Sequence, residues 1–137
     1  SMIHVLDDAY KVGMLNNTLL DGSVDPVDQD LAESQRNKLN WARAFYSITL
    51  GGAHGLYLDD RIGNFDLGKE ADFVALDWTA GPPGADWHAS LLWDGTGAPD
   101  DLETVGELLF AMMAVGDERV VAETWVAGRR RYRRDGA

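Results

Sequence analysis

The stretch from Thr49 to Asp77 constrains this chain more than any other. It reads Thr49-Leu50-Gly51-Gly52-Ala53, then Leu58-Asp59-Asp60-Arg61-Ile62-Gly63-Asn64-Phe65, then Gly68-Lys69-Glu70-Ala71-Asp72-Phe73-Val74-Ala75-Leu76-Asp77. Physically this predicts a helix ended by glycines, a polar turn and a buried strand. Glycine permits the bend or the positive φ of a helix end, and it also allows a close approach of backbone to a packed neighbour. The strand is predicted over 71–78, with Phe73, Ala75 and Asp77 on one face and Val74, Leu76 and Trp78 on the other. Both faces are mostly apolar, so its centre is expected to be covered on both sides.

Upstream, Ile3, Leu6, Tyr10 and Met14 recur at helical spacing, with Val5, Val12 and Leu15 widening the stripe. A helix is predicted over 3–15, ended by Asn16-Asn17. The polar stretch 18–39 carries the turn signals Asp21-Gly22 and Asp25-Pro26 and reads as an irregular connection with a short helix near 29–35. Asn40 is placed to cap a helix over 41–50, whose apolar set is Trp41, Ala44, Phe45, Ile48 and Thr49.

Downstream, 79–99 is rich in glycine and proline and reads as loop, with a short packed segment around 87–93. Asp100 or Asp101 is expected to cap a helix over 102–115, with Leu102, Val105, Leu109, Met112 and Met113 at helical spacing and Gly116 as its stop. Residues 120–126 alternate as a strand. Ala127-Gly128 then turns the chain into Arg129–Arg134, its hairpin partner. The order is helix, helix, strand, helix, hairpin: an α/β chain.

Composition narrows the function classes. The 137 residues fit one domain or a large piece of one, and 45% hydrophobic content with five Trp predicts a folded segment. A net charge of −11, from 23 acidic against 12 basic residues, disfavours nucleic acid and anionic membrane surfaces as partners. No apolar run approaches the roughly 18 residues of a membrane span, and no basic segment followed by an apolar one suggests a secretory signal. The absence of cysteine excludes disulfides and thiolate chemistry and is compatible with a reducing cytoplasm. Ser1-Met2 leads at once into a helical pattern with no capped lead-in, as expected of a segment cut from a larger protein.

No local catalytic motif is present. His4, His54 and His88 form no HxH or HxxxH pair, so they read as surface or helix-end histidines. His54 stands near a helix end. Asp7-Asp8 and Asp59-Asp60 are adjacent pairs whose side chains diverge, and they read as caps and turns. Gly51, Gly52 and Gly55 follow a helix, which is the wrong context for a dinucleotide loop. Ser47 and Ser90 have no histidine at a motif spacing. The basic run Arg129–Arg134 is read as an edge strand with salt bridges to the acidic body or to a partner subunit.

Several patches, in this order, resemble guanine deaminases of the amidohydrolase superfamily. They are Asp8-Ala9-Tyr10-Lys11-Val12, Ala44-Phe45-Tyr46, Ser47-Ile48-Thr49-Leu50-Gly51-Gly52-Ala53, Asp60-Arg61-Ile62-Gly63-Asn64-Phe65, Gly68-Lys69-Glu70-Ala71-Asp72-Phe73, Leu108-Leu109-Phe110, Val115-Gly116-Asp117-Glu118-Arg119 and Thr124-Trp125-Val126-Ala127-Gly128-Arg129. The Gly-Lys-x-Ala-Asp-Phe and Val-x-Gly-Arg patterns point to the superfamily. The combination of Leu50-Gly51-Gly52-Ala53, Ile62-Gly63-Asn64-Phe65 and Gly116-Asp117-Glu118-Arg119 points to guanine deaminases. Trp41 and His54-Gly55 depart from the family pattern.

The resemblance implies that residues 1–57 are the last helices of a (β/α)8 barrel. Residues 58–137 would then be the C-terminal part of a small β-sandwich with one closing helix. It implies one zinc, held by histidines and an aspartate upstream of Ser1, that activates water to convert guanine to xanthine and ammonia while a carboxylate shuttles protons. No catalytic, substrate-binding or metal residue of the family maps onto this chain, so the chain alone is expected to be inactive. The implied partners are the N-terminal remainder of the same enzyme and a second subunit in a cytoplasmic homodimer, with no nucleic acid and no membrane. Two alternatives stay open: another purine or pyrimidine aminohydrolase of the superfamily, and a stand-alone binding or assembly module.

Overall fold

The computed structural model describes residues 2–18, 39–81, 91, 99 and 101–135. The expected short helix near 29–35, most of the segment around 87–93, His88 and Ser90 lie outside the described residues. The described elements run α1 (Met2–Thr18), α2 (Trp41–Ile48), α3 (Leu50–Gly55), β1 (Phe73–Leu76), α4 (Leu102–Val115), a 3-10 turn (Glu118–Val120), β2 (Val121–Val126) and β3 (Arg129–Arg133).

Local chemistry explains where the helices start. Asn40 Oδ1 accepts from the Arg43 N–H at 2.9 Å, and Asp101 Oδ1 accepts from the Thr104 N–H at 2.7 Å. Each satisfies an amide that a helix N-terminus leaves without a partner. α4 stops at Gly116, where a Cβ would stand 2.3 Å from the Met112 carbonyl oxygen.

Other boundaries differ from the sequence pattern. α1 runs through Asn16-Asn17 to Thr18, since asparagine lowers helix propensity by only a fraction of a kcal/mol. The break expected at Gly51-Gly52 falls earlier, at Thr49 (φ −120°, ψ −105°). There the Thr49 hydroxyl donates to the Phe45 carbonyl at 2.6 Å, a back-bond that bends helices. Both glycines lie inside α3. Gly51 is needed for space rather than for bending, because a Cβ there would meet the Tyr46 ring at 2.8 Å.

α1 and α2 both pack on α4. Leu6, Ala44 and Met113 form one buried cluster, bordered by Tyr10, Phe45, Ile48 and Phe110. Tyr10 meets Phe110 edge-on at 5.3 Å. The approach of α2 to α4 depends on Gly106, where a Cβ would lie 2.4 Å from Trp41 Nε1. Ile3, Met112 and Val120 form a second cluster that reaches Leu76 and Trp78, tying helices to sheet. Leu108 (2% exposed) is buried, whereas Leu102, assigned to the buried stripe from sequence, is 70% exposed. In α1 the narrow stripe is buried at Ile3 and Leu6, but Val5, Val12 and Leu15 are exposed.

The sheet is antiparallel with strand order β1-β2-β3. Ala127 (φ 49°) and Gly128 (φ 70°) both take positive φ, as a two-residue turn matched to strand twist requires. β1 is shorter than predicted, and its Val74 is 51% exposed, so the expected cover on both faces is not present among the described residues. Two bulges interrupt the alternation. Ala75 pairs with Glu123 and Leu76 with Val121, leaving Ala122 as the extra residue; Thr124 pairs with Tyr132 and Trp125 with Arg130, leaving Arg131.

Candidate interaction surface

The hairpin is held to β1 mainly by polar groups. Asp72 Oδ1 accepts from the Ala127 N–H at 2.6 Å, and the Gly128 N–H donates to the Ala71 carbonyl at 3.0 Å. The Ala71-Asp72 step and the Val126-Ala127-Gly128 turn therefore form one lock, although 55 residues separate Asp72 from Ala127 in sequence.

The arginine-rich strand is answered by carboxylates of the same chain. Glu123 accepts from Trp125 Nε1 at 2.8 Å and from Arg130 Nη1 at 3.0 Å, with Arg133 Nε at 3.6 Å. The Trp125 N–H, then the arginines, hold the Glu123 carboxyl below its ordinary pKa. Trp125 stacks on Phe73 at 5.4 Å, and Arg130 lies 5.9 Å from the Trp125 ring centroid. Asp77 accepts from the Thr79 hydroxyl at 2.6 Å and pairs with Arg134, which also donates to the Arg119 carbonyl. Those bonds, Thr79 first, lower the Asp77 pKa. Asp117 is lowered chiefly by Arg119. These contacts agree with the reading of Arg129–Arg134 as an edge strand paired to the acidic body.

Among the described residues, the candidates for chemistry make one surface pair, His54 with Asp59, and no cluster. His54 Nδ1 lies 3.0 Å from Asp59 Oδ2 on the surface. His4 is exposed on α1, and Asp7 pairs with Lys11 on the same helix. The Ser47 hydroxyl donates to the Arg43 carbonyl of its own helix at 2.7 Å. Among the described residues, no three His, Asp or Glu side chains come together as metal ligands. No helix among them is long and apolar enough to cross a membrane.

What the fold does build is an open groove of about 910 Å³ between the helices and the sheet. Phe45, Ile48, Ala53 and Leu56 form its helical wall. Ile62 and Phe65 of the connecting loop close one end, and Val74, Thr124, Val126 and Tyr132 form the sheet wall. Gly63 (φ +101°) lets the loop turn against α3, since a Cβ there would lie 2.9 Å from both Ala53 Cβ and Leu50 Cα. A shallower depression of about 710 Å³ runs beside Trp41, Leu102, Gly106 and Phe110.

The groove was not anticipated from sequence, yet a signal exists. Phe65 is 82% exposed, Leu67 fully so, and the second apolar stripe of α1 faces solvent. A lining this apolar, whose carboxylates are Glu118 and Asp72, the latter already bonded to the hairpin turn, suits burial against other polypeptide rather than acid–base chemistry.

Residues 6–131 match the profile of the Amidohydrolase family. The chain belongs to this family. It is 37% identical over 135 residues to the guanine deaminase of Escherichia coli (strain K12), covering 98% of this chain and 24% of the relative. It is 30% identical over 125 residues to the guanine deaminase of Homo sapiens, covering 91% of this chain and 24% of that one. The crystal structure of guanine deaminase from Bradyrhizobium japonicum matches with a TM-score of 0.87 and 58% identity, over 98% of this chain and 28% of that chain. The chain thus spans about a quarter of the length of the curated relatives it matches. Its helices and small antiparallel sheet form an α/β fragment of the amidohydrolase fold.

Proposed function

We propose that this chain is the C-terminal, structural part of a zinc-dependent guanine deaminase that converts guanine and water to xanthine and ammonia in the cytoplasm. The observation that carries the reading is the match of 98% of the chain to only 28% of the Bradyrhizobium guanine deaminase at a TM-score of 0.87. Residues 1–57 supply terminal helices of the barrel. Residues 58–137 supply strands of the small β domain and its closing helix. The open apolar groove supports this division of labour, because such a surface needs further chain to cover it.

The described residues do not fit a zinc site, and no step of the reaction is assigned to them. The metal ligands and the groups that hold the purine belong to the remainder of the enzyme. This chain's contribution is to complete the fold around them, and it stands next to a second subunit in a homodimer.

Two preparations test the reading: the 137-residue chain alone, and a chimera in which it replaces the matching part of the Bradyrhizobium enzyme. Xanthine is expected from guanine with the chimera only, and adenine and cytosine are expected to be poor substrates. Turnover by the chain alone would overturn the structural role, and a preference for another base would overturn the guanine assignment.

A further inference from the structure

We draw no further inference here: the strongest candidate, the depression between α2 and α4 beside Trp41, Leu102, Gly106 and Phe110, is an apolar face rimmed by the exposed Glu103 and Glu107, and nothing in the structure shows what covers it.

Discussion

The two halves of this molecule reach order in different ways. Around α4, the helices bury Leu6, Ala44 and Met113 among themselves. Around β1, β2 and β3, no residue of a strand is fully buried, and the hairpin is fixed by the Asp72 lock, the Glu123 hub and the Asp77–Arg134 pair. Hydrogen bonds and exposed ion pairs set register and direction but contribute little net stability, whereas apolar burial contributes most of it. A half that is well specified yet poorly buried is suited to be completed by other chain.

This contrast can be broken or sharpened by mutations in the chimera. The largest effect is expected for Met113→Ala, at the centre of the helical cluster, which should lower unfolding free energy by about 3 kcal/mol through loss of packing and a residual cavity. Urea denaturation measures it, and a cost below about 1 kcal/mol would show that the helical half is not a finished core. Val74→Asp comes next. If β1 is covered in the longer enzyme, the buried carboxylate should cost about 2 kcal/mol or more, whereas at a surface the change would stay within about 0.5 kcal/mol. The same denaturation series decides between the two.

Asp72→Ala should cost about 1 kcal/mol, because it removes the acceptor for the Ala127 N–H. Asp72→Asn keeps a side-chain oxygen and should recover part of that loss. The pH effect is smaller. Asp77, Asp117 and Glu123 all have lowered pKa values in the fold. Their stabilisation is therefore present above the unfolded carboxylate values of about 4 and is lost as pH falls through the lower folded values. Urea midpoints measured from neutral pH downward should drop below about pH 4, and Asp77→Asn should reduce that drop. Arg131→Ala, at the bulge of the exposed strand β3, should change stability by less than about 0.5 kcal/mol. A larger change would mean that β3 is covered in the longer enzyme.

Much of the fold was legible in the chain because its signals are local. Asn40, Asp101, Gly116 and Ala127-Gly128 act within a few residues of themselves, and each ends or starts an element where the pattern placed it. Misreadings arose where a distant or competing group decided. Thr49 breaks its helix through a hydroxyl back-bond, ahead of the glycines that looked like the stop. Helical spacing places Leu102 in the apolar stripe of α4 and passes over Leu108, yet Leu102 is exposed and Leu108 is buried. The bulges at Ala122 and Arg131 shift strand faces in ways that simple alternation cannot encode.

By itself, the sequence determined the helix caps, the hairpin turn, the acidic balance and the likeness to an enzyme family, because caps, turns and composition depend on neighbours in the chain. Tertiary structure alone decided that Asp72 locks the hairpin turn and that Glu123 gathers Trp125 and two arginines. It also decided that, among the described residues, an apolar groove lies open between the helices and the sheet. Those features arise from which surfaces meet in space, and burial is a property of the pair of surfaces rather than of either segment.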